Sequence, residues 1–153
     1  MKLDTGLAAA NLKDVPEAAR AAEEAGFDGV WTAETAHDAY LPLAIAAEHT
    51  TKLKLGTSIA VAFPRAPLAH AMLAWDLQAL SGGRFMLGLG TQVRAHNERR
   101  FGIKWEKPVK RLREMIQVIR AAWDTFQNNA RPSFKGEFYE FSLMTPFFNP
   151  GRL

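Results

Sequence analysis

At 153 residues, 48% hydrophobic and 23% charged, the chain is long enough for one domain and too apolar to read as disordered. It has no cysteine, which excludes disulfides and thiolate metal sites. Its net charge of +3 is small, and the densest basic stretches, Arg94 to Arg100 and Lys107 to Arg113, lie among Glu98, Glu106 and Glu114, so a nucleic-acid stripe is not expected.

In chain order, Lys2 to Ala8 is a short, mostly apolar strand candidate. Asp14 can cap a helix through PEAARAAEEAG, with Pro16 in its first turn and Gly26 just past its end. Phe27 to Thr32 is the second strand, and Asp38 can open a helix through YLPLAIAAEHT. Leu53 to Phe63 reads as a third strand, apolar enough to be covered on both faces. Pro64 and Pro67 bracket the start of a helix that stops at Gly82-Gly83, and Arg84 to Gly90 is the fourth strand. A polar loop, TQVRAHNERRFGIKW, precedes a long helix from Pro108 to about Phe126, with a stripe at Val109, Leu112, Ile116, Ile119 and Trp123. PSFKGEFYEFS alternates around Gly136 like a small hairpin, and the tail LMTPFFNPGRL is expected to be irregular. The opening MKLDTGLAAANLKD lacks a signal peptide's apolar run, and no window approaches a membrane span. A cytoplasmic location is therefore expected.

Strands alternating with helices of this length argue for parallel βαβ units in an α/β fold. An open doubly wound sheet and part of a closed barrel both fit. A complete (β/α)8 TIM barrel takes about 250 residues, so the barrel reading is a half barrel of four βα units over residues 1–127. Residues 128–153 then add a hairpin and tail to the same domain. Four strands cannot close, and end strands with unpaired backbone invite pairing. Self-association into a homo-oligomer through exposed sheet edges is expected.

Three stretches carry a resemblance: the opening MKLDTGL with EAARAAEEAGFDGVWTAE, the segment WDLQALSGGRFMLGLGTQ, and AHNERRFGIKW with FKGEFYEFSLMTPFFNPG. Together they resemble the luciferase-like monooxygenase superfamily, and most closely its branch dependent on coenzyme F420. The resemblance covers essentially the whole chain but about the first half of a family member. It implies an oxidoreductase that passes a hydride between a reduced deazaflavin, or alternatively FMN, and a small organic substrate. In the family the phosphate-bearing tail is held largely by the second half, so this half alone can be inactive or bind no cofactor. A non-catalytic, self-associating assembly module is the alternative.

Barrel chemistry sits at the carboxyl ends of the strands. After the second strand come Ala33, Glu34 and His37. An imidazole there can act as general acid or base, and the resemblance implies that His37 or Glu34 faces the reactive ring. The resemblance further implies that Ser58, Ile59, Ala60 and Val61 back the ring, often through a non-proline cis peptide. Gly90, Thr91 and Gln92 follow the fourth strand, where some deazaflavin enzymes place an acidic Glu. Gln92 cannot supply that proton, so His96, Asn97 and Glu98 are the stand-ins. Gly88-Leu89-Gly90 lacks the continuation of a dinucleotide motif. Asp76 and Arg84 read as structural and able to pair. His49 and His70 read as satisfied helix residues, and Trp75, Trp105 and Trp123 as core anchors. Four histidines without a carboxylate cluster make no metal site.

Overall fold

The computed structural model describes residues 1–7, 9 and 11–153. The chain forms two compact units: Met1–Ala60 with Asp76–Gly90, and Val61–Trp75 with Thr91–Leu153.

The first unit runs β1 (Asp4–Gly6), a 3-10 turn at Leu12–Asp14, α1 (Val15–Glu24), β2 (Gly29–Thr32), α2 (Leu41–His49) and β3 (Lys54–Thr57). It also holds the start of β4 (Ala60–Val61), the end of α3 (Pro67–Leu80), β5 (Phe85–Met86) and β6 (Leu89–Gly90). β1, β2, β3 and β5 form one parallel sheet in that order. A doubly wound sheet reverses its strand order at a switch point. Here each new strand adds to the same side, the progression of a singly wound barrel, so the (β/α)8-type reading of the sequence holds. Val30, Leu55 and Phe85 point to one face and are buried.

Local chemistry sets the helix ends. Asp38 Oδ1 accepts from the backbone N–H of Tyr40 at 2.7 Å and Leu41 at 3.1 Å, turning the chain into α2, whose N-cap is Tyr40. Pro16 sits in the first turn of α1.

The long third strand predicted over 53–63 is interrupted. Its ladder ends at Thr57, the Ser58–Ile59 peptide is cis, and β4 follows. The fourth strand likewise divides into β5 and β6 around Gly88. The cause is close backbone approach. Thr57 Oγ1 donates to the Gly88 carbonyl at 2.8 Å and accepts from the Gly88 N–H at 2.9 Å. A Cβ at Gly88 would lie 2.0 Å from the Thr57 carbonyl oxygen. The first strand is shorter than Lys2 to Ala8, and Ala8 lies outside the described residues.

Arg84 does not pair with Asp76. Its Nε donates to the Ser81 carbonyl, Nη1 to Thr50 Oγ1 and the Leu53 carbonyl, and Nη2 to the carbonyls of Ala47 and Thr50, all at 2.7–3.0 Å. These five bonds use all five guanidinium donors, while Asp76 is exposed. Burial lowers the Arg84 pKa, and the charge of Glu23 partly offsets this. Glu23 pins the same loop by accepting from the N–H groups of Thr51, Lys52 and Leu53.

In the second unit α5 (Pro108–Asn128) is the main element, with α4 (Arg94–Arg99) and an antiparallel hairpin of β7 (Phe134–Lys135) and β8 (Glu140–Phe141). α4 corrects the loop expected there. The buried stripe of α5 is Glu114, Met115, Val118, Ile119, Ala122, Thr125 and Phe126. Val109, predicted inside, is 72% exposed. The Glu114 carboxylate enters that stripe because Oε2 accepts from the Phe138 N–H at 2.8 Å, tying helix to hairpin. Trp75 meets Phe126 edge-on at 5.2 Å, Trp105 meets Phe63 at 6.2 Å, and Trp123 Nε1 donates to the Ala71 carbonyl. These are the anchoring roles expected of them. His70 is fully buried with Nε2 2.9 Å from the Ala62 carbonyl, and His49 Nδ1 lies 2.9 Å from the Ile45 carbonyl. The tail holds a 3-10 turn, Pro146–Phe148, where no regular structure was expected. Among the described residues no helix is long and apolar enough to cross a membrane.

Candidate functional site

Within the first unit, a cleft of about 890 Å³ opens at the carboxyl ends of β1 and β2. Its walls are the loop after β1 (Gly6, Leu7, Ala9, Asn11 to Val15) and the loop after β2 (Ala33, Thr35, His37, Asp38), with Trp31 and Thr32 from β2 itself and Pro42 from α2. Of the residues singled out in the sequence, Ala33 and His37 line it, and His37 is exposed at its wall.

Glu34 is half-buried and is not among the lining residues. Its N–H donates to the Ile59 carbonyl at 3.0 Å, and the Ser58 N–H donates to the Thr32 carbonyl at 2.6 Å. The end of β2 is therefore stitched to both residues of the cis peptide. On the other side the Ala60 N–H donates to the Gly88 carbonyl at 2.9 Å. A Cβ at Gly90 would lie 2.9 Å from Ile59. The expected small-residue turn after the third strand is thus present, and it carries the cis bond that the resemblance implied.

Trp31 escaped the sequence reading. Its indole Nε1 donates to Asp4 Oδ2 at 3.0 Å, and its ring covers Gly56, where a Cβ would fall 2.1 Å from the ring. The signal is glycine at Gly56, but only strand register brings it beside Trp31.

Val61, Thr91, Gln92 and His96 belong to the second unit. Gln92 has φ of 58° and accepts the Val93 N–H on its own side chain. His96 is exposed. Asn97 is fully buried, and its Nδ2 donates to the carbonyls of Thr91 and Val93. Glu98 is engaged by Arg94 Nε at 3.1 Å.

A family model described as luciferase-like monooxygenase matches residues 2–152. The chain belongs to that family. A Mycobacterium tuberculosis protein that is itself uncharacterised is 51% identical over 150 residues, which is 98% of this chain and 44% of that one. A second M. tuberculosis protein, provisionally named a coenzyme F420-dependent oxidoreductase, is 45% identical over 108 residues, covering 70% of this chain and 31% of its own. Among solved structures, the oxygenating constituent of 3,6-diketocamphane monooxygenase from Pseudomonas putida, in complex with FMN, superposes with a TM-score of 0.78 at 17% identity. That match covers 94% of this chain and 45% of the monooxygenase. This luciferase-like chain therefore spans less than half the length of the relatives it matches.

Proposed function

We propose that this luciferase-like chain supplies ring contacts and a proton-handling residue to an F420-dependent oxidoreductase, with FMN as the alternative cofactor. The observation that carries the reading is the cleft at the carboxyl ends of β1 and β2. Its volume lies within the roughly 300–1,000 Å³ of small-molecule sites. Its lining fits a flat heteroaromatic ring. Gly6, Ala9 and Ala33 leave space for one, Trp31 offers an apolar wall, and Asn11, Thr35 and His37 offer hydrogen bonds.

When bound, the deazaflavin or flavin would supply two-electron hydride chemistry. The chain's own part is to hold and move the matching proton. A ring N–H of His37 donates to the substrate oxygen on which charge develops as hydride arrives, and the imidazole takes that proton back in the reverse direction. Glu34, fixed to Ile59 through its backbone, positions the strand end that carries Ala33 and the loop to His37. The reading rests on residues of the first unit alone.

The test is titration of the chain with F420 and with FMN, following ring absorbance and the emission of the four tryptophans, with Trp31→Phe to isolate the contribution of Trp31. One ring is expected to bind with a change in both signals. His37→Ala is expected to leave ring binding within a few-fold and to lower turnover by about 10²-fold. Unchanged spectra for both rings at saturating concentration would refute the reading for this chain.

A further inference from the structure

α3 (Pro67–Leu80) reads PLAHAMLAWDLQAL, 14 residues with one carboxylate, Asp76. A helix at a protein surface ordinarily keeps a polar face toward water. On α3 and the residue before it, Ala66, Ala69, Met72, Leu73, Asp76 and Leu80 are exposed. Their spacing of three, three, one, three and four sets them on one stripe. Asp76 is the polar member of that stripe, and Met72 at its middle is 50% exposed. The other side of the helix is filled: Ala71 and Ala74 are buried, and Trp123 Nε1 donates to the Ala71 carbonyl. α3 stands in mid-chain, as the crossover from β4 to β5.

The helix also lacks a capping side chain. Ala66, whose carbonyl accepts from the His70 N–H, holds the capping position without a side-chain acceptor. No acid lies in the first turn. The free N–H groups there and the helix dipole favour a carboxylate. The stripe carries one, Asp76, toward its far end. A second α3, turned antiparallel about a two-fold axis between Met72 and Leu73, brings these features together. Asp76 of each copy comes opposite Ala69, in the first turn of the other. Leu80 comes opposite Ala66, so bulk meets a small residue at both ends, and Met72 meets Leu73 at the centre. Two parallel helices would instead set Asp76 against Asp76. The match of carboxylate to uncapped helix start selects a second copy over an unrelated partner.

We propose that the outer face of α3 docks a second copy of the chain, with the two helices antiparallel and each Asp76 capping the α3 of the other. The contact is isologous, so it closes at two copies. One helix pair is smaller than the roughly 800 Å² per partner of a standard interface, which sets the dissociation constant at on the order of 10 μM. The proposal stands on one helix and not on the cofactor reading. Its test reads mass and proximity rather than ring binding or turnover.

The test is sedimentation equilibrium of the 153-residue chain at up to on the order of 100 μM, with circular dichroism to verify the fold of each variant. The mass should rise with concentration from 17.0 kDa toward twice that value. Ala69→Glu puts an acid in the first turn, which favours its own helix, yet sets it against Asp76 of the second copy. The dimer should therefore weaken by about 10-fold or more. Asp76→Lys alone should weaken it as well, and the two substitutions combined should restore it. Since the chain has no cysteine, Leu73→Cys beside the axis should cross-link to itself on oxidation, whereas Gln117→Cys, exposed on α5, should not. Any one of four results would overturn the proposal. These are a monomer throughout that range, a dimer indifferent to Ala69→Glu, a double variant no tighter than either single one, or a Leu73→Cys chain that forms no cross-link.

Discussion

Arg84→Ala offers the sharpest test of how the first unit holds its α2–β3 loop. The wild-type guanidinium spends its five N–H donors on the carbonyls of Ala47, Thr50, Leu53 and Ser81 and on the Thr50 hydroxyl. The site is half-buried, so water can replace part of what is lost. Taking each bond at the low end of its net worth, about 0.5–1 kcal/mol, the five together give a destabilisation of about 3 kcal/mol. Asp76→Ala, which touches none of these bonds, should change stability by less than about 0.5 kcal/mol. Arg84→Lys should recover only a minor part, because one ammonium cannot reach acceptors spread along the loop. Urea unfolding followed by fluorescence reads all three. Equal losses for Arg84→Ala and Asp76→Ala, or a loss below about 1 kcal/mol for Arg84→Ala, would refute the reasoning.

Acid should release the same loop through Glu23. Burial pushes its pKa up, but the N–H donors of Lys52, Leu53 and Thr51 and the Thr51 hydroxyl outweigh that, leaving it below the ordinary 4.5. A lowered folded pKa means that the stabilisation is complete above 4.5 and fades as pH falls through the lowered value. Glu23→Gln should flatten that part of the pH–stability curve. Glu137, held at about 2 by Lys107 and Lys110, should stay ionised in an NMR titration down to that range, and added salt should move it back toward 4.5. Gly56→Val would drive a side chain into the Trp31 ring, so a loss of about 1–3 kcal/mol with a shift in tryptophan emission is expected. An emission spectrum identical to wild type would show that the indole does not cover Gly56.

Helices were the most legible part of the sequence, because their ends are written in local chemistry. Asp38 binds the N–H of Leu41, where α2 begins, and Pro108 opens α5 as the sequence predicts. What failed depended on hydrogen-bond partners that an apolar pattern does not show, some distant in sequence and some near. The unbroken apolar run from Leu53 to Phe63 gives no sign that its ladder ends at Thr57, since the cause is the Gly88 backbone 31 residues away. The stripe of α5 was misphased because Glu114 and Thr125 look polar in sequence, yet they sit inside once the Phe138 N–H and the Ala121 carbonyl bond them. RAHNER has no apolar period, so the sequence predicts a loop where α4 forms. Its buried member is Asn97, a polar residue satisfied on its amide side by backbone carbonyls.

The candidate site divides in the same way. Ala33 and His37 line the cleft, and the sequence singles them out by position alone, as residues just past an apolar strand, where barrel folds place chemistry. Trp31 was missed because a residue inside a strand reads as core. Whether it faces the helices or the open side depends on parity against its neighbours, and parity is invisible until Gly6, Trp31 and Gly56 are set in register. With register known, Gly56 and the indole become one statement. The sheet gives up the side chain at Gly56 so that Trp31 can lay its ring there, while Asp4 takes the indole N–H on the other side, at the edge of the cleft where chemistry is proposed.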